Sequence, residues 1–166
     1  MDQQVSSQPA ARNVTSVERK GDRELVVTRT FDAPPRIVFK VWSDPDLFRM
    51  WWVPKGAPMK LLACDMDVRT GGKYRLEFEA GGQTMEFFGK YLDVVPDERI
   101  VWTNDEGEEG GAVTTVTFQD QGGKTLLTFH EIYPTAEALE EAMTGSAAGL
   151  PIQLDQLEEL LSTVSQ

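Results

Sequence analysis

The end of this chain constrains its fold more than any other part. Leu150, Leu154, Leu157, Leu161 and Val164 fall at steps of four, three, four and three, the spacing of one apolar face on an α-helix. Asp155, Glu158 and Glu159 lie off that stripe and are expected to face away. Gly149 and Pro151 should interrupt or kink the segment just before it. Such a helix is stable only if another layer covers its stripe.

The segments upstream read as that layer. From Lys60 onward short stretches alternate between turn residues and β-formers. Residues 60–67 read as a strand, and Thr70-Gly71-Gly72 as a turn. Tyr74, Leu76 and Phe78 then alternate with Arg75, Glu77 and Glu79, the mark of a sheet with one wet face. Gly81-Gly82 closes a hairpin into a long strand over 84–95. Gly89 sits inside that strand, where glycine often marks a bulge or bend. Further strands follow at 99–103, around Thr114, Val116 and Phe118, and at 125–132. An acidic, glycine-rich turn over 105–111 separates the first two of these, and Gln121-Gly122-Gly123 the last two. A helix over 136–143 opens on Thr135, a good N-cap.

Before the sheet, Leu25-Val26-Val27-Thr28-Arg29-Thr30-Phe31 reads as the first strand. Pro34-Pro35 starts a helix carrying Ile37, Val38, Val41 and Trp42 at helical spacing. A second short helix runs over 45–50. Trp51-Trp52-Val53-Pro54-Lys55-Gly56 is read as a loop, punctuated by Pro54, Gly56 and Pro58. The expected fold class is α+β: a curved antiparallel sheet gripping a long C-terminal helix, with two short helices after strand one. Residues 1–22 are polar and small and are expected to form a flexible tail, leaving 23–166 as one domain.

Charge and composition exclude several roles. Twenty-seven acidic residues against 16 basic ones give a net charge of −11, which repels nucleic acid and anionic membrane surfaces. No apolar run approaches membrane-spanning length, and the N-terminus lacks the apolar core of a secretory signal. The lone cysteine, Cys64, suits a reducing compartment, so a cytoplasmic location is expected.

The order of elements and several motifs resemble the helix-grip (START-like, SRPBCC) superfamily, which includes lipid-transfer domains and birch-pollen-allergen-like proteins. Within it, the chain is similar to the bacterial branch named for the C-terminal domain of the activator of the ninety-kilodalton heat-shock-protein ATPase. The motifs that carry the resemblance are Phe31-Asp32-Ala33-Pro34, Trp42-Ser43-Asp44-Pro45, Trp51-Trp52-Val53-Pro54 and Asp67-Val68-Arg69-Thr70-Gly71-Gly72. Gly89-Lys90-Tyr91 and the run from Val95 through Trp102 to Thr103 extend it. Two positions depart from the family's habit: Thr70 stands for a proline, and Leu150-Pro151 follows Gly149 where an aromatic is usual. The resemblance implies a helix-grip fold and an internal cavity. It does not imply co-chaperone activity.

The side chains agree with a cavity. Large aromatics are numerous, and ligand pockets are mainly apolar with a few polar groups. The expected lining is drawn from Trp42, Trp51, Tyr74, Phe78, Phe88, Tyr91, Trp102, Phe118 and Leu154. A polar group inside could orient a ligand, the candidates being Arg75, Glu77, Glu79, Glu86, His130 and Glu131. No catalytic residue is assigned. His130 is the single histidine and no nucleophile motif accompanies it, and Cys64 reads as a small buried hydrophobe. Asp65 and Asp67 share a strand face near Arg69 but lack further hard ligands, so no metal is expected. Gly71-Gly72, Gly81-Gly82, Gly110-Gly111 and Gly122-Gly123 read as hairpin turns, not phosphate loops.

The expected function is binding of a small hydrophobic or amphipathic molecule, with no cofactor, no nucleic acid and no membrane as partner. A homodimer and a chaperone stay open as partners. Two rivals stand beside this: an enzyme of cyclase or hydrolase type using the same cavity, and a protein-interaction module. A buried ionisable group with a shifted pKa, aimed into the cavity, favours the enzyme. A large apolar patch outside the cavity favours the interaction module.

Overall fold

The computed structural model describes residues 14–105 and 111–164. In chain order the elements are β1 (Ser16–Lys20), β2 (Glu24–Phe31), α1 (Pro35–Ser43), α2 (Pro45–Trp51), β3 (Lys60–Met66), β4 (Lys73–Ala80), β5 (Gln83–Val95), β6 (Arg99–Thr103), β7 (Val113–Gln121), β8 (Lys124–Ile132), α3 (Ala136–Thr144), a 3-10 turn (Ser146–Gly149) and α4 (Leu150–Leu161). The strands form one eight-stranded antiparallel sheet, in the order β1-β2-β8-β7-β6-β5-β4-β3. This is the expected α+β class: a curved, open sheet with a helix at the C-terminus.

Local chemistry accounts for the helices. Proline is tolerated where a first-turn N–H lacks a partner anyway, and α1, α2 and α4 each carry one there. Asp44 ends α1 and caps α2, its carboxylate accepting the Asp46 amide at 2.9 Å. Thr135 caps α3 by accepting the Ala138 amide at 3.0 Å. Trp51 is the last residue of α2, so the loop read from the sequence begins one residue later, at Trp52.

The sheet's inner face follows from parity. Leu25, Val27, Arg29 and Phe31 of β2 are buried in alternation, as are Thr125, Leu127 and Phe129 of β8. On β5 the pairings Leu76↔Phe87 and Phe78↔Met85 put Phe87 and Met85 on the inner side, since cross-strand partners share a face. Glu86 and Phe88 are therefore on the outer side. Gly89 marks where β5 passes from β4 to β6: Tyr74 pairs with Gly89, and Tyr91 pairs with Trp102. A Cβ on Gly89 would lie 2.1 Å from the Thr103 carbonyl oxygen, so no side chain fits at this crossing. The glycine here permits a close approach of backbones.

The stripe on α4 is buried as expected, with Leu154 and Leu157 inaccessible and Leu150, Leu160 and Leu161 nearly so. Asp155 and Glu158 do not simply face water. The guanidinium of Arg29, buried on the inner face of β2, donates to Asp155 at 2.6 Å and to Glu158 at 2.8 Å. It also donates to the Thr15 hydroxyl at 2.8 Å and lies 5.5 Å from the centre of the Phe31 ring. One buried cation thus ties the sheet to the last helix.

The N-terminal expectation needs correction. Residues 1–13 lie outside the described residues, but Ser16–Lys20 is a strand and not part of a flexible tail. It pairs with β2 from Ser16↔Thr28 to Lys20↔Glu24. All five of its residues are exposed, so backbone pairing alone defines it and no apolar alternation marks it in the sequence. Arg19 adds an ion pair to Glu140 of α3 at 2.7 Å. Of the acidic turn expected over 105–111, residues 106–110 lie outside the described residues.

Candidate functional site

Between the inner face of the sheet and the start of α4 lies a cavity of about 770 Å³. Its sheet wall comes from Met66 on β3, Tyr74, Leu76 and Phe78 on β4, Phe87 and Tyr91 on β5, Ile100 and Trp102 on β6, and Phe129 and Glu131 on β8. Trp42 of α1 and Phe48 of α2 close one side. The loop from Trp52 to Ala57, the 3-10 turn, and Leu150, Ile152 and Gln153 of α4 close another.

That loop is held by the last helix. Gln156, buried on α4, donates through Nε2 to the carbonyls of Trp51 and Val53, both at 2.9 Å. Its Oε1 accepts the Lys55 amide at 2.6 Å. Gln153 donates to the Trp52 carbonyl. Buried amides that satisfy irregular backbone in this way fix a loop's path. A Cβ on Gly149 would sit 3.1 Å from the Pro54 ring, so the turn before α4 must be slim where the loop crosses it.

Of the nine lining residues expected, Trp42, Tyr74, Phe78, Tyr91 and Trp102 border the cavity, and Trp51, Phe88, Phe118 and Leu154 do not. Each of those four has a physical reason. Trp51 is inaccessible, and its indole N–H donates to the Val41 carbonyl at 2.9 Å, which turns the ring onto α1. Its neighbour Trp52 takes the cavity position instead, stacked on Phe48 with ring centres 4.7 Å apart. Phe88 is on the outer side of β5, opposite to Phe87. Phe118 packs edge-on against Phe39 under α1. Leu154 lies one turn too far along α4, inside the close-packed core. Trp42 centres the aromatic cluster, 4.7 Å from Trp51 and 6.0 Å from Trp102. Its indole nitrogen is buried with no hydrogen-bond partner among the described residues.

Of the six polar candidates, Glu131 alone borders the cavity. It belongs to one inner row: Leu25, Glu131, Thr114, Trp102 and Tyr91 are successive cross-strand partners from β2 to β5. Thr114 donates to Glu131 Oε2 at 2.7 Å, and Tyr133 donates to Oε1. Asn104 steadies Thr114 by donating to its hydroxyl at 3.2 Å and to the Ala112 carbonyl at 2.7 Å. Tyr74, across the cavity's edge, donates to the Thr103 carbonyl at 2.7 Å. Burial pushes the Glu131 carboxyl above its ordinary range, against the opposing pull of its two hydroxyl bonds and of His130. Burial likewise raises the Tyr91 and Tyr133 phenols. In the sequence Glu131 is one of six polar candidates; its parity with Leu127 and Phe129 is the signal that would have singled it out.

The remaining candidates lie elsewhere. His130 points away from the row and bonds Glu24 at 2.8 Å. Arg75 is exposed among Asp65, Glu77 and Glu86. Asp67 is bound by Arg69 at 2.9 Å. Burial raises the half-buried Cys64 thiol to about 11, so it is not a ready nucleophile at neutral pH. Among the described residues, no three His, Cys, Asp or Glu side chains are placed to hold a metal ion, and no helix is long and apolar enough to cross a membrane.

Several solved structures share this architecture. A protein from Rhodobacter sphaeroides superposes with a TM-score of 0.81 at 18% identity, covering 91% of this chain and 99% of its own. One from Chromobacterium violaceum is 30% identical with a TM-score of 0.69, covering 84% of this chain and 96% of its own. One from Mycobacterium smegmatis is 24% identical with a TM-score of 0.76, covering 90% and 98%. No curated protein matches the sequence. The family model for activator of Hsp90 ATPase homolog 1-like proteins matches residues 32–162, from the end of β2 to the end of α4, and the chain belongs to that family.

Proposed function

We propose that this protein binds one small hydrophobic or amphipathic molecule in the cavity between the sheet and α4. The observation that carries this reading is the space itself. About 770 Å³ of space lies between the sheet and α4 in a pocket that is partly open to solvent, the size and concave form of a small-molecule site. That volume suits a drug-sized or lipid-like molecule. The walls are mainly aromatic and aliphatic, with polar groups confined to a few positions, and folds of this family often bind hydrophobic ligands. Free Cys64 fits a reducing, cytoplasmic setting.

The test is a fluorescence titration with a polycyclic aromatic hydrocarbon such as phenanthrene. Trp42, Trp52 and Trp102 border the cavity, so their emission should change saturably with one probe per chain. A linear, unsaturable response would mean collision at the surface and would contradict the proposal.

One observation favours a second reading, an enzyme working in the same space. Glu131 is an acid with a raised pKa facing an apolar cavity, the kind of group general acid–base catalysis uses. Its partners among the described residues are the Thr114 and Tyr133 hydroxyls, and binding, which the space alone supports, is the better-supported function. The interaction module has less support, because the exposed large apolar side chains are spread over several elements, among them Val17 on β1, Met50 on α2 and Leu62 on β3. The groupings are Met85, Phe88 and Leu92 on β5 and the cross-strand pair Val113 and Ile132.

A further inference from the structure

We propose that the cavity selects an amphipathic cation: an apolar body carrying one protonated amine, seated on the Glu131 carboxylate. The inference rests on the cavity being the ligand site and goes on to name the ligand's chemical class.

Among the described lining residues Glu131 is the single acid and Lys55 the single base. These two do not pair. Lys55 is exposed at the rim and its ammonium lies 3.2 Å from Glu159 on α4. The groups that do reach Glu131 are neutral hydroxyls, Thr114 from β7 and Tyr133 from the segment after β8. His130 is next in the chain but bonds Glu24 on the other side of the sheet. No lysine or arginine among the described residues forms an ion pair with Glu131.

A carboxylate placed in apolar surroundings without a counter-charge is unfavourable. A cation brought in by the ligand supplies that counter-charge. Both carboxyl oxygens already accept a hydroxyl bond, an arrangement that suits the ionised form and a ligand that donates. A ligand carbonyl would instead need the acid's own proton. The walls point the same way. Trp42, Trp52, Trp102 and Phe129 present aromatic rings to the space, and ring faces attract cations. A net charge of −11 raises the local concentration of cations and disfavours an anionic amphiphile.

The experiment compares three ligands of one shape on the full chain: decylamine, decanol and decanoate, by isothermal titration calorimetry below their micelle concentrations. Above the Glu131 titration the amine should bind at least about tenfold more tightly than the alcohol, the factor expected of a hydrogen bond to a charged group, and decanoate should bind most weakly. Glu131→Gln should remove the amine's advantage. A second measurement needs no variant: in the parent protein the advantage should grow as pH rises through the Glu131 titration. Decanol binding as tightly as decylamine, an advantage that survives in Glu131→Gln, or an advantage flat with pH overturns the inference and leaves apolar binding standing. No binding by any of the three overturns both.

Discussion

Glu131 should leave a signature in stability as well as in binding. Its folded-state pKa is raised, with burial as the first cause. The native state therefore holds this proton more tightly than the unfolded chain does. By linkage, the stability from that protonation is full below the ordinary carboxylate pKa and is lost as pH rises through the raised value. Urea unfolding followed from mildly acidic to neutral pH should show Glu131→Gln gaining stability relative to the parent as pH increases. A difference that stays constant or shrinks would mean that Glu131 is not the titrating group. Arg29 makes a second test at this scale. Its side chain is 1% exposed, and its partners Asp155 and Glu158 are 43% and 25% exposed. Its Nε is buried without a hydrogen-bond partner among the described residues. The two carboxylates can regain water if the cation is removed, so Arg29→Ala should cost about 1–3 kcal/mol, the range of hydrogen bonds to charged groups plus lost packing. Arg29→Met keeps much of the volume and should cost less, since buried pairs are often replaceable by apolar groups. Equal losses in the two variants would show that charge, not packing, holds the helix.

Helix α4 shows how much of an element is readable and where reading stops. Its apolar stripe is explicit in the sequence, and Leu154 and Leu157 are indeed inaccessible. Its polar side chains are not readable in the same way, because Asp155, Glu158, Gln153 and Gln156 meet partners distant in the chain. The same limit explains the lining. Alternation on β4 and β8 reveals which residues face inward, but not which inward residues meet a void and which meet another side chain. Leu154 and Leu76 separate these cases. Leu154→Trp should overpack the core and cost about 1–3 kcal/mol. Leu76→Trp projects into the cavity, so it should cost less while blocking probe binding. Equal destabilisation of the two in thermal unfolding would argue that no usable space exists at Leu76. Strand β1 was hidden for a different reason, since an edge strand with no buried side chain carries only a main-chain signal. A chain starting at Gly21 should be less stable than one starting at Val14. It should also self-associate more readily, because the uncovered edge of β2 offers unpaired backbone groups. Identical melting and sedimentation of the two would remove β1 from the fold's energetics.

For the molecule as a whole, element order was legible because strands and helices differ in apolar period, and glycine pairs mark several of the hairpins. The sheet's curvature was legible at Gly89, where the backbone crossing excludes a side chain. The cavity's position followed from these, but its lining depended on which tryptophan of the Trp51–Trp52 pair turns inward, a choice made by one hydrogen bond to Val41. The central claim is that a ligand occupies this space and no other. The methionines report on it directly. Met59 and Met66 border the cavity, whereas Met50 is 64% exposed on α2 and borders none of it. In a protein carrying carbon-13 methyl methionine, titration with phenanthrene should shift the Met59 and Met66 methyl signals to saturation through ring currents, with Met50 unmoved. Shifts centred on Met50, or no saturable shift at Met59 and Met66, would contradict the account.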